Sequence, residues 1–144
     1  MGVALIAVAI GEEDTRAFDA VILADRGEDE FENDLGMRGD SAGDVLGWVN
    51  PVERDGDASG TQLSLCTRTT GDEEESTLAC TLTLKFEEGS IVAEGLFDTA
   101  FSDEEQELAI LGGTGDYDGA RGHVTWTSYG EERFLVSVEA KTED

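Results

Sequence analysis

Few residues of this 144-residue chain have types that invite chemistry: two cysteines, Cys66 and Cys80, one histidine, His123, and carboxylates set close together in turn-like stretches, Asp116 with Asp118 and Glu87 with Glu88. Two cysteines and one histidine without a short CxxC spacing make a poor metal-ligand set, so no metal site is expected. Carboxylate pairs hydrolyse glycosides only where a low-dielectric pocket splits their pKa values. Adjacent or alternating turn positions supply no such pocket, which disfavours that chemistry. The stretch "LAILGGTGDYDGARGHV", residues 108–124, has the glycines of a phosphate loop. It lacks the Gly-Lys-Ser/Thr that would enter a helix, and Asp116 and Asp118 would repel a polyphosphate. It reads instead as a tight, partly left-handed reversal between strands, with His123 a strand residue beside it.

The elements that position these residues are short alternating or apolar runs separated by Gly, Asp and Asn, with almost no helical period, which is an all-β pattern. Strands are expected near Val3–Ile10, Arg16–Ala24, Asp44–Asn50, Gln62–Thr69, Thr77–Phe86, Ser90–Phe97, Glu107–Leu111, Gly122–Ser128 and Arg133–Ala140. The acidic runs Glu28–Glu32, Asp72–Glu75 and Asp103–Glu107 read as loops. Many strands and a single proline, Pro51, favour one closed antiparallel barrel over residues 1–144, because closure removes edge strands; an open sandwich is the lesser choice. Residues 1–15 hold an extra strand or the remnant of a leader. The apolar run there lacks a basic flank and is too short to span a bilayer, so a cytoplasmic location is expected. If the register sets residue 67 opposite 79, Cys66 and Cys80 face each other and a cross-strand disulfide is reachable; two buried thiols are the alternative in a reducing cytoplasm. With 34 acidic against 9 basic residues and a net charge of −25, the chain repels nucleic acid and anionic membrane, so neither is expected as a partner.

Three strings, "GDVLGWVNPVERDGDASGTQLSLCTRT", "ACTLTLKFEEGSIVAEGLF" and "LAILGGTGDYDGARGHVTW", resemble the allene oxide cyclase and dirigent superfamily of small β-barrels over about residues 40–138. The resemblance implies an eight-stranded antiparallel barrel of lipocalin-like shape with an apolar cavity. It also implies frequent oligomers, with a homodimer as the candidate assembly. Asn50 matches the family's pocket asparagine and Cys66 the cysteine of the next strand, whereas Phe97 stands where a tyrosine is expected. The first-strand glutamate and asparagine have no counterpart in "FDAVILADRGEDEF". An incomplete water-binding set points away from allene oxide cyclase activity on an oxylipin. It points towards the barrels of this kind in bacterial polyketide and antibiotic biosynthesis, which fold a linear polyene for a Diels–Alder-type closure.

Such a reaction needs no nucleophile, metal or cofactor, only a pocket that holds the reacting carbons in a near-attack geometry. With Asn50 facing inward, the period of two puts Trp48 and Leu46 on its face, and with Cys66 inward it adds Gln62, Ser64 and Arg68. Val124 and Trp126 are the inward choices after the glycine turn; Phe97 closes the pocket and Tyr129 sits at its mouth. Asn50, as a hydrogen-bond donor, and Trp126, as a shaping wall, are the expected catalytic residues. Trp48, Leu46, Gln62, Ser64, Cys66, Arg68, Phe97, Val124 and Tyr129 are the expected substrate contacts. An apolar small molecule is the expected substrate, and a non-catalytic, lipocalin-like carrier is the alternative function.

Overall fold

A computed structural model describes residues 13–27, 29–33, 35, 43–71, 76–98, 105–128 and 133–143. The expected strand Val3–Ile10, and Tyr129, lie outside the described residues. Nine strands are present among them: β1 Glu13–Leu23, β2 Asp29–Asn33, β3 Val45–Arg54, β4 Asp57–Gly71, β5 Ser76–Phe86, β6 Gly89–Asp98, β7 Gln106–Gly113, β8 Arg121–Ser128 and β9 Arg133–Glu143. Every neighbouring pair is antiparallel, in the order β1-β9-β8-β7-β6-β5-β4-β3-β2. A further pairing of β1 with β3, Val21 opposite Glu53 and Ile22 opposite Val52, closes eight of the strands into a barrel. Among the described residues no helix is long and apolar enough to cross a membrane.

β2 falls on the Glu28–Glu32 run expected to be a loop. After β1 a short 3-10 turn, Ala24–Arg26, breaks the strand, and β2 resumes on the same edge of β3, Asp29 opposite Val49 to Asn33 opposite Val45. The backbone pairing tolerates this acidic segment because Glu30 and Glu32 stay in solvent. β3 also runs through Pro51 to Arg54 instead of stopping at Asn50. On the edge shared by β1 and β2, the pairings skip residues 50 and 51, so the proline stands in the seam, where its missing N–H breaks no bond of that ladder.

Even-numbered side chains of β3, and of β4 between its bulges, turn inward; bulges at Ser59, Thr69 and Leu111 shift the register and bend the sheet without breaking closure. One barrel end carries the Asp55-Gly56 hairpin, whose positive φ values of 54° and 81° suit a type I′ turn, and the 114–120 connection. Ile22, Val52, Leu84, Phe86, Ile91, Leu108, Tyr117 and Val136 fill this end. At the other end the inward-pointing Leu46, Trp48, Ser64, Phe97, Trp126 and Phe134 are only half-buried.

Candidate functional site

The mouth of the bore is built from facing rows of β3 and β4. Antiparallel pairing sets Leu46 against Cys66, Trp48 against Ser64 and Asn50 against Gln62, so the expected lining residues of these strands stand on one inner wall. Cys66 and Cys80 are directly opposed, 4.1 Å apart between Cα atoms, and joined as a disulfide. Leu46, Trp48, Leu78 and Phe97 pack against it. The facing wall is aromatic: Trp126 meets the Phe97 ring edge-on at 5.4 Å between centroids and lies 4.9 Å from Phe134. Val124, one inward position deeper on β8, is fully buried and belongs to the core.

A chain of polar groups runs along the β3–β4 wall. Asn50 Nδ2 donates to Gln62 Oε1 at 2.8 Å, and Gln62 Nε2 donates in turn to Ser64 Oγ. Asn50 and Gln62 are buried and Ser64 half-buried. Because Ser64 accepts from Gln62, its own hydroxyl proton is not engaged by Gln62 and is available to another acceptor. Gly27 backs the other end of the relay: a Cβ there would lie 2.5 Å from Asn50 Oδ1. Nothing in the sequence near Gly27 signals this, since the contact depends on how the 3-10 turn folds against β3.

Arg68, also buried, does not stand alone at the rim of the bore. Its Nε donates to Asp44 Oδ2 at 3.3 Å and one terminal nitrogen lies 3.4 Å from Glu32, while the Asp44 carboxylate accepts the Leu35 amide at 3.0 Å. Taking a guanidinium out of water demands such partners. This arrangement ties β2, β3 and β4 together at the mouth.

The other candidates for chemistry sit elsewhere. His123 is on the outer wall, 3.8 Å from Glu139, beside a solvent-open groove of about 370 Å³ lined also by Asp19, Thr125 and Ser137. Asp116 and Asp118 are exposed on the glycine-rich connection at the packed end. Glu88 there accepts two hydrogen bonds from Arg54, at 2.6 and 3.0 Å, and one from Tyr117, at 2.8 Å. Bonding to Arg54 holds the Glu88 carboxyl down at about 2, and burial together with the Glu88 charge pushes the Tyr117 phenol up to about 12. This cluster, unforeseen because its members are far apart in sequence, plugs the barrel floor. The glycine-rich segment that raised a phosphate loop is therefore structural: Gly115 has φ +61°, and a Cβ on it would lie 2.3 Å from the Glu88 carbonyl. Among the described residues no group of three or more His, Cys, Asp or Glu side chains stands together as metal ligands.

The architecture is a closed antiparallel barrel, packed at one end and lined by aromatics and a short polar relay at the other. The chain belongs to the allene oxide cyclase barrel-like family, whose model matches residues 27–139. A search of curated proteins finds no match. Among solved structures the chain is similar to a pyocyanin demethylase, 22% identical over 88% of this chain and 99% of that one, with a TM-score of 0.69. It is also similar to the exo-specific intermolecular Diels–Alderase AbnU, 12% identical over 91% and 99% of the two chains, TM-score 0.72. A pterocarpan synthase dirigent protein is 18% identical over 92% of this chain and 88% of that one, TM-score 0.64.

Proposed function

We propose that this barrel is a cofactor-independent cyclase that folds an apolar, linear polyene in its bore for a pericyclic, Diels–Alder-type ring closure. The observation that carries the reading is the pairing, at the half-buried end, of an aromatic wall with one hydroxyl. Phe97, Trp126 and Phe134 form one side; Ser64, fed by Gln62 and Asn50, stands on the other. Aromatic walls that pin a flexible chain in a reactive fold lower the entropic part of the barrier, by up to about 7–11 kcal/mol in favourable systems. A hydroxyl donating to a dienophile carbonyl stabilises the charge that gathers there in the transition state. The name of AbnU, an exo-specific intermolecular Diels–Alderase, supports this class of reaction, and the pyocyanin demethylase name supports small molecules as occupants of such barrels.

Native mass spectrometry of the protein isolated from its own cells tests the proposal, with the bound molecule identified and incubated as substrate. A bound polyene that wild-type protein converts to an isobaric ring product, and that Trp126→Ala converts at least about tenfold more slowly with the fold retained, is the expected result. A bound molecule returned unchanged makes the barrel a carrier and overturns the cyclase. The same intact mass reads the redox state of Cys66 and Cys80: a disulfide lowers it by two hydrogens, whereas residence in a reducing cytoplasm predicts free thiols.

A further inference from the structure

Charge at the mouth of the bore is arranged with one sign in excess. On the inner face of the described strands at the half-buried end, Arg68 is the one cation, and two carboxylates hold it, Asp44 at 3.3 Å and Glu32 at 3.4 Å. Arg68 and Asp44 are 6% and 1% exposed, and the Leu35 amide fixes Asp44 from its other oxygen, whereas Glu32 is exposed. One guanidinium against two carboxylates leaves the cluster negative. Behind it, the polar groups along the β3–β4 wall are uncharged: the amides of Asn50 and Gln62 and the hydroxyl of Ser64.

We infer that the bore admits a chain whose terminus is uncharged, an ester, an amide or another masked carboxyl, and turns away the free carboxylate. The inference rests on the proposed function, which makes the bore the binding site. A carboxylate leaving water needs a cation or several donors in place of its hydration. Arg68 can serve only by giving up Asp44, which would leave a buried negative charge unpaired. Ser64 offers one neutral hydroxyl, which matches a carbonyl oxygen and falls short of a full negative charge. The net charge of −25 acts in the same direction, lowering the concentration of anions at the mouth. A protonated amine is drawn by that field but finds Asp44 engaged with Arg68, so it ranks between the two. Asp44 and Glu32 are thus specificity-determining residues that act on the ligand through the charge they leave at Arg68. The reaction that supplies the substrate must then deliver its carboxyl esterified, amidated or closed into a ring.

Three probes that share one linear conjugated tetraene and end in a primary amide, a carboxylate or a primary amine separate the contributions at about pH 7, where the acid and the amine are both ionised. Quenching of Trp48 and Trp126 fluorescence by the tetraene reads Kd for each. The expected order of affinity is amide, amine, acid, with the acid at least about tenfold weaker than the amide. Any apolar pocket disfavours an ion, so the variants decide the cause. Asp44→Asn and Glu32→Gln each remove one negative charge beside Arg68 and should tighten the acid at least about threefold, while Kd for the amide stays within about twofold. Glu32 is exposed, so Glu32→Gln reports even where loss of the Asp44 charge disturbs the fold. Glu94→Gln, the same charge change on the outer face of β6, should leave the acid within about twofold of wild type. An acid bound as tightly as the amide overturns the inference and keeps the bore as the binding site. So does an acid that is weaker yet gains no more from Asp44→Asn and Glu32→Gln than from Glu94→Gln, since desolvation alone would then set the order. If no probe quenches the tryptophans, the bore does not bind such chains, and the proposed function falls together with the inference.

Discussion

At the scale of single residues, the proposed chemistry rests on the direction of two hydrogen bonds. Asn50 donates to Gln62 and Gln62 to Ser64, so each amide polarises the next and the chain ends in a hydroxyl whose proton is directed off the relay. In the proposed cyclase Ser64 is the group that would meet a substrate carbonyl, with Asn50 and Gln62 as positioning residues behind it. Ser64→Ala should lower kcat at least about tenfold by removing a donor aimed at developing charge. It also leaves the buried Gln62 amide short of an acceptor, a stability loss of about 1–3 kcal/mol. Gly27→Ala separates the two effects. Its φ of −60° and ψ of 139° suit alanine, but the new Cβ falls 2.5 Å from Asn50 Oδ1 and displaces the head of the relay. Turnover should fall in Gly27→Ala while KM changes less than kcat, and steady-state kinetics beside thermal melts would read both. A Gly27→Ala enzyme with unchanged kcat would show that Asn50 only fills space.

At the scale of elements, the packed end closes by a device of its own. Arg54, at the end of β3, lies over Phe86 at 4.1 Å and over Phe18 at 5.4 Å, and bonds Glu88 in the β5–β6 turn; Tyr117, from the 3-10 turn before β8, bonds the same carboxylate. Since the folded Glu88 lies at about 2 against an ordinary 4.5, its stabilisation is complete above pH 4.5 and is lost as pH falls towards 2. Tyr117 is raised from 10.0 to about 12, so its stabilisation is complete below pH 10 and is lost as pH rises towards 12. Denaturant unfolding across this range should show Glu88→Gln nearing wild type only in acid and Tyr117→Phe nearing it only in alkali. A constant difference at all pH values would mean that packing, not ionisation, is lost. None of this cluster was legible in the sequence, because Arg54 and Glu88 are 34 residues apart and meet only through barrel closure. The inner wall was legible, since a period of two carries one correct inward residue along a whole strand: Leu46, Trp48, Asn50, Gln62, Ser64, Cys66 and Arg68 all turn inward. Phe134, on the inward face of β9 with Val136, was missed, although the same alternation along that strand could have found it. β2 escaped notice because its pairing is a backbone matter and its side chains resemble those of a loop.

At the scale of the whole molecule, closure and charge act against each other. The β1–β3 pairing joins the barrel's first and last edges through only two residue pairs beside the β2 extension, while 34 acidic residues repel one another around it. The exposed pair Arg16–Asp116, at 3.9 Å, offsets little of that field. Self-repulsion of this kind destabilises the compact state, and screening restores it. The melting temperature should therefore rise with sodium chloride, a gain of about 1 kcal/mol corresponding to about 2–4 °C for a chain of this size. The shape of the rise identifies its cause. Screening acts mostly below about 0.15 M, where the Debye length has already fallen to about 8 Å, and then levels off. Preferential exclusion of salt from apolar surface continues to grow in the molar range and is stronger for sulfate. A curve that flattens beyond about 0.15 M in both salts assigns the gain to the acidic field, whereas one that climbs steadily and faster in sulfate would mean that the barrel already carries its charge without cost.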